Sequence, residues 1–437
     1  GASAMALATQ QPCFLVGAAL GRLAGPSQRQ ALLSAGHRTG LRSYVGGMAQ
    51  PGQRSGVAGS VLGQHGLFLG PAALVAFASC RRAGRRTIER RAVAVDVAPA
   101  ATDAAPRQLP RPAHWVIRTT DLKKSVDFLT QVFGMSVLRH EEQNAGCKIT
   151  CNGAISKPWS KTMIGYRRED EGYCLEITYT YTVDSYTPGT GLAYIAIGVD
   201  DVKSALEAAA DLGYTVDGDM ITGPEQYKYR VVPQPAGREE RFQYVALNVR
   251  GMAKAEEFYK NALGMSDLTA DSPHASSQDG DVVRVVGYGD SDEVPLVLRE
   301  DPKSPFFKLQ IWEGRNALSI PSQALNVAYR KVVDEKPGGS RVLHKLQTEP
   351  LQPGKVKRNT DLKDLEIAIV VAPEGFEVCI VSSETFDIAV ADAYNPGVEI
   401  DWSWREQKTI DVIRETAELE AQQAAEAAAA AAAEAEG

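Results

Sequence analysis

Acidic residues are missing from the first part of this chain. No Asp or Glu precedes Glu89 and no Lys precedes Lys123, while Arg, Ser, Ala and Gly dominate. A folded surface carries charges of both signs, so this composition excludes an ordinary globular domain and predicts a cleavable, disordered organelle-targeting presequence over residues 1–107. Two apolar stretches lie inside it, CFLVGAAL and VLGQHGLFLGPAALVAFAS, the second followed by RRAGRR. That order resembles the bipartite presequences of complex plastids and predicts a plastid location, with the mitochondrion as alternative. Neither stretch reaches the roughly 20 uninterrupted apolar residues of a membrane span, so none is expected in the mature chain.

Further absences narrow the function. Residues 1–107 hold 12 Arg and 3 acidic residues, a balance of +9, which leaves −16 of the total −7 for residues 108–437. An acidic body excludes nucleic acid as a partner. There is no phosphate-binding glycine loop, no dinucleotide fingerprint and no serine elbow. Only 6 Cys occur, and the C-x3-C pair Cys147 and Cys151 has no second pair or neighbouring His to complete a zinc site. These two read as structural or incidental thiols in a reducing compartment.

What the chain does contain is a repeat. DLKKSVDFLTQVFGM at 121–135 and GMAKAEEFYKNALGM at 251–265 lie 130 residues apart, each after a strand-like run, HWVIRTT from His114 and QYVALNV from Gln243. Asp121 stands where a helix N-cap belongs, and Leu122, Val126, Leu129 and Phe133 recur at helical spacing before Gly134. GLAYIAIGVDDVKSALEAAADLGY (191–214) repeats the pattern with Asp201, and RNALSIPSQALNVAYRKV from Arg315 repeats it without the Asp. Strand-like runs follow each helix, among them CLEITYTY, KYRVVP, VPLVLRE and LEIAIVV. The chain therefore predicts four units of roughly 60 to 70 residues, each a strand, a helix and three strands. The end of the chain, TIDVIRETAELEAQQAAEAAAAAAAEAEG, predicts a solvated helix without an apolar stripe, preceded by DWSWR, whose two Trp are expected to pack back on the body.

The runs HWVIRTTDLKKSVDFLTQVFGMSVLRHEE and LEITYTYTVDSYTPGTGLAYIAIGVDD resemble glyoxalase I and the wider vicinal-oxygen-chelate (VOC) superfamily. More narrowly, GCKITCNGAISKPWSKTMIGY and APEGFEVCIVSSETF resemble the glyoxalase domain-containing proteins. The resemblance implies an α+β fold of four βαβββ modules forming two VOC domains, over 108–235 and 240–386, with a helical Ala/Glu-rich tail at 387–437. It also implies a divalent metal (zinc, nickel or magnesium) and glutathione as co-substrate. The substrate it implies is a glutathione hemithioacetal of a reactive dicarbonyl such as methylglyoxal, acted on by a lactoylglutathione lyase-type enzyme.

Carried over position by position, the resemblance puts His114 and Glu176 at the two ligand positions of the first module. The second module holds Tyr194 and Arg230 there, the third Tyr244 and Val297, the fourth Arg315 and Cys379. If adjacent modules pair, a guanidinium points at the metal; if the first pairs with the fourth, the metal set is His114, Glu176 and Cys379, with Arg315 beside it. Glu176 is then the expected catalytic base, and Arg118, Arg230 and Arg315 the expected substrate-binding residues. The alternative is a catalytically reduced, metal-free protein that binds an anionic metabolite or serves as an organellar assembly subunit. With four modules in one chain, a monomer is expected.

Overall fold

A computed structural model describes residues 109–275, 281–301, 307–349, 364–395 and 397–436. The targeting segment expected over residues 1–107 lies outside them. Module one runs β1 (Arg111–Thr119), α1 (Leu122–Phe133), β2 (Ser136–Gln143), β3 (Trp159–Gly165) and β4 (Cys174–Thr180). Module two is β5 (Leu192–Val199), α2 (Val202–Asp211), β6 (Thr215–Asp217), β7 (Met220–Thr222) and β8 (Lys228–Pro233). Module three is β9 (Phe242–Asn248), α3 (Met252–Glu256), β10 (Ser266–Asp267), β11 (Val282–Gly287) and β12 (Leu296–Glu300). Module four is β13 (Arg315–Ile320), α4 (Ser322–Asp334), β14 (Arg341–Glu349), β15 (Leu365–Val371) and β16 (Glu377–Ser382). Two helices follow, α5 (Ser383–Ala393) and α6 (Trp402–Glu436).

Each helix start needs an acceptor for its free backbone N–H groups, and the four modules supply it in two ways. Asp121 accepts from Lys124 N at 2.9 Å and Asp201 from Ser204 N at 3.1 Å. Modules three and four lack that Asp, and a carboxylate from elsewhere in the fold takes its place. Glu300 accepts from Met252 N at 3.1 Å, and Glu384 from Ser322 N at 3.1 and 3.0 Å.

The third helix departs from the regular α-helix expected over 251–265. Beyond Glu256 it widens into a π-helical stretch, Glu257–Ala262, with Leu263 N bonded to Phe258 O at 3.3 Å. The consecutive rings of Phe258 and Tyr259 within this stretch are both buried.

Two eight-stranded sheets result, ordered β14-β15-β16-β13-β1-β4-β3-β2 and β10-β11-β12-β9-β5-β8-β7-β6. Within a module the first and last strands pair in parallel, and modules join through antiparallel pairing of their first strands, β1 with β13 and β5 with β9. Module one therefore shares a sheet with module four, and module two with module three. The sequence halves 108–235 and 240–386 each give one module to each sheet. Of the two pairings open from the sequence, the structure shows the one that sets His114 and Glu176 beside Arg315 and Cys379.

Strand alternation decides which face each residue takes. Trp115, Ile117, Leu175 and Ile177 bury in the main core. His114, Arg118 and Glu176, at alternate positions, fall on the opposite face of the first sheet.

That face is covered by the chain itself. In α5, Asp387 pairs with Arg111 at 2.6 Å and accepts from Ser319 at 2.9 Å. α6 is held on the other face of this sheet, where Arg405 binds Glu142 and the Ser160 hydroxyl and Lys408 reaches Glu142 at 2.9 Å. Trp402 packs against the core, as expected, whereas Trp404 stays 49% exposed. A second correction concerns the thiols: Cys147 and Cys151 form a disulfide that closes a small loop between β2 and β3. No described helix is long and apolar enough to cross a membrane.

Candidate functional site

The first-sheet cleft centres on His114 and Glu176. Val116 lies opposite Glu176 in the β1–β4 register, and the His114 Nε2 to Glu176 Oε2 distance is 3.4 Å. Burial lowers the His114 pKa, and Glu176 only partly opposes this, so the imidazole is neutral at pH 7. Its Nδ1 is buried without a hydrogen-bond partner among the described residues. Glu176 takes a hydrogen bond from the Thr178 hydroxyl at 3.3 Å.

Two donors that the sequence reading passed over stand beside this pair. Ligand atoms of His114, Glu169 and Cys174 all lie within 4.8 Å of one another. Arg139 grips Glu169 through two hydrogen bonds of 2.9 and 2.8 Å and fixes its orientation. Cys174 precedes Glu176 by two residues on β4, so alternation alone places it on the same face. Glu169 comes from the β3–β4 loop, in a charged run that gives no such signal.

The other expected metal-site residues behave differently. Cys379 is not part of that cluster; it packs with Leu365, Ile367, Val381 and Phe386, and burial pushes its thiol up to about 11. Arg315 is committed elsewhere. Its guanidinium pairs with Glu377, with Nε at 2.9 Å, and donates to Ile149 O at 3.1 Å and to Thr150 O and Oγ1 at 3.0 and 2.9 Å. It serves as a latch on the disulfide loop.

The metal implied by the resemblance can be tested on these atoms. A neutral imidazole with an orphaned nitrogen, 3.4 Å from a carboxylate, is a donor pair that suits a divalent cation. Glu169 and Cys174 could complete the set, although burial holds the Cys174 thiol well above its ordinary pKa and it would have to lose a proton on binding. The donors that fit thus centre on His114, which has Glu176 at 3.4 Å and lies in one cluster with Glu169 and Cys174; Cys379 is not part of that cluster.

Arg118, on the same face, is 2% exposed. Its Nε donates to Ile311 O at 2.7 Å, and its Nη1 is buried without a partner among the described residues. The hydroxyls of Tyr186 and Thr180 are buried close to one another, with Tyr186 near Arg118. Burial lowers the Arg118 pKa, and nearby Tyr186 counters it. A buried guanidinium with an unpartnered N–H donor, next to two hydroxyls, forms a place for an anion.

Arg230 lies in the other sheet, with Tyr194, Tyr244 and Val297. These four residues line one cavity of about 250 Å³ together with His274 and Arg299. The three expected substrate-binding arginines are therefore not gathered in one site.

Comparison with known proteins agrees with this architecture. Residues 111–237 match the Glyoxalase/Bleomycin resistance protein/Dioxygenase superfamily. Glyoxalase domain-containing protein 4 of Rattus norvegicus is 28% identical over 283 residues, covering 63% of this chain and 86% of that protein. The probable chloroplastic lactoylglutathione lyase of Arabidopsis thaliana is 28% identical over 200 residues, covering 43% of this chain and 53% of that protein. The crystal structure of glyoxalase I from Zea mays shares the fold with a TM-score of 0.51 at 23% identity, covering 64% of this chain and 95% of its own. Glyoxalase 1 of Caenorhabditis elegans is 30% identical over 280 residues, 63% of this chain and 89% of that protein. On the four modules, their sheet pairing and these relatives, the chain belongs to the glyoxalase (VOC) superfamily.

Proposed function

We propose that this protein is a glyoxalase I-type lyase acting at the first-sheet cleft on the thiol adduct of a reactive dicarbonyl such as methylglyoxal. The observation that carries this reading is the buried His114–Glu176 pair, 3.4 Å apart on the same sheet face as the anion-seeking Arg118.

The chemistry follows from the side chains. Arg118, with the hydroxyls of Tyr186 and Thr180, holds a carboxylate of the glutathione moiety and sets the adduct's position. The Glu176 carboxylate takes the proton from the carbon that carries the thioether. The electron pair moves toward the adjacent carbonyl to give an enediolate, the same carboxylate returns the proton to the neighbouring carbon, and the hydroxyl proton of the adduct passes to the former carbonyl oxygen. The product is the thioester of a 2-hydroxy acid, with no net gain or loss of atoms or electrons. A divalent cation held by His114 and Glu176 would supply charge that stabilises the developing oxyanion. α5, through Phe386, keeps water from the reacting carbons.

A second reading is favoured by Arg315: the fourth ligand position carries a cation bound to Glu377, as in a catalytically reduced VOC protein. Metal content per chain and thioester formation from methylglyoxal and glutathione, measured on the full chain, His114→Ala and Glu176→Gln, separate the two. Near-stoichiometric metal that disappears with His114→Ala, and a loss of at least about 100-fold in rate with Glu176→Gln, support the lyase. Absence of both metal and thioester after supplementation with zinc, nickel or magnesium leaves the metal-free protein.

The acid-poor residues 1–107 and the relative named chloroplastic support a plastid as the place of action. Completion of both sheets within one chain supports a monomer.

A further inference from the structure

The geometry points to a second, metal-free binding site in the sheet of modules two and three, built for a small aromatic carboxylate. It is independent of the chemistry at the first cleft.

The site occupies the positions at which the superfamily would place a metal, but the donors there are Tyr194, Arg230, Tyr244 and Val297. None of these side chains is a good ligand for a divalent cation at neutral pH, and a guanidinium repels one. The space is nevertheless open, a cavity of about 250 Å³. A cavity of about 150 Å³ takes benzene, so this one accommodates a single ring with a charged substituent.

Its walls specify that shape. The rings of Tyr194 and Tyr244 meet edge to face, 5.9 Å apart at 72°, and the His274 ring lies 4.4 Å from Tyr244. Val283 and Val297 complete an apolar floor. A flat ring enters such a slot at little conformational cost, and edge-to-face contacts add to its burial.

Its charge specifies the substituent. Arg230 and Arg299 both lie over the Tyr194 ring, at 5.8 and 5.7 Å. Asp219 holds Arg230 through Nε at 2.8 Å, Tyr244 Oη lies 3.4 Å from Nη1, and Asp281 pairs with Arg299. Each guanidinium carries five N–H donors, so these partners orient the two arginines without exhausting them. Burial brings His274 down to about 4, and Arg238 and Arg230 push in the same direction, so the ring beside Tyr244 is a neutral wall. A carboxylate is the group that the free N–H donors of two oriented guanidinium groups select.

The test uses the full chain, benzoate and 4-hydroxybenzoate as probes, and benzamide as the uncharged isostere, with binding measured by titration calorimetry in the presence of a chelator. The expected result is saturable binding of the carboxylates, at least about tenfold weaker binding of benzamide, and at least about a tenfold loss with Arg230→Gln or Tyr194→Leu. His114→Ala, which disables the first cleft, is expected to leave binding unchanged, so the two sites fail independently. Equal binding of benzamide, loss of binding with His114→Ala, or no binding by a folded chain at millimolar probe overturns the proposal. The circular dichroism spectrum of each variant shows whether it is folded, and Arg299→Gln provides a second route if Arg230→Gln is not.

Discussion

The ring of Phe386 lies 6.5 Å from the ring of His114, with the planes tilted by 41°. Phe386 belongs to the helix that follows the last strand, so the residue closing the first cleft comes from the opposite end of the fold from the residue at its centre. Phe386→Ala removes this cover while leaving β1 and β4 intact. The expected cost is about 2 kcal/mol, below the range for a fully buried ring because Phe386 is partly exposed. Faster alkylation or acylation of His114 is expected alongside it, and mass spectrometry of the modified peptide checks both the site and the rate.

The same helix is tied down by Arg111 and Asp387, whose side chains are 9% and 10% exposed. Arg111 Nε and Nη1 and Asp387 Oδ2 are buried without partners among the described residues, so the pair is only partly satisfied. Asp387→Ala strands a buried cation and is expected to cost about 3 to 5 kcal/mol in denaturant unfolding. Arg111→Met with Asp387→Leu removes both charges and is expected to recover most of that loss. A double variant no more stable than Asp387→Ala would count against this account.

Arg315 holds the loop closed by the Cys147–Cys151 disulfide through its bonds to Ile149 and Thr150. Arg315→Gln keeps some hydrogen bonding but loses the ion pair with Glu377. A destabilisation of about 2 kcal/mol is expected. Hydrogen exchange in residues 144–158 should rise by more than in β1 or β13, and a uniform rise would show that the loop is not held by this side chain.

Glu374 gives a pH dependence whose sign can be worked out. Burial brings its pKa up from 4.5 to about 7, and Glu300 adds to the shift. Between these values the unfolded chain releases a proton that the folded chain keeps. Stability from this group is therefore complete below pH 4.5, falls as pH rises to about 7 and is level above it. Because the residue is only half-buried, the loss after allowance for solvent is about 1 to 2 kcal/mol. Glu374→Gln should remove that slope and stabilise the chain at pH 8, as read from thermal unfolding at several pH values.

Much of this architecture was legible in the chain. The Asp121 and Asp201 caps, the alternation of LEITYTY and the recurring strand-helix units are local signals, and local signals lead directly to four modules. His114 and Glu176 could be named because the resemblance puts them at the ligand positions of the first module, and a strand period of two then fixes their face. Cys174 obeys the same period and could have been found with them. Glu169, His274 and Phe386 could not, since they reach their sites from a loop, a loop and a following helix. The choice of partner module was not legible either: β1 pairs with β13 through backbone groups that every strand carries, and no side-chain code distinguishes β13 from β5. The widened turn at Phe258 leaves no mark in periodicity.

The nested order of the sheets has a consequence for synthesis. Modules two and three are consecutive, so their sheet can close as soon as β12 has emerged. Module one must wait for module four: Trp115 Nε1 bonds to Glu313 O across 198 residues of chain. At roughly 5 to 20 residues per second that delay is about 10 to 40 s, during which the β1 edge has no partner strand. An unpaired edge is an invitation to aggregate. The newborn chain thus spends its first tens of seconds with the His114 face of the first sheet open and its inner pair of modules already folded, the interval in which a chaperone would have most to protect.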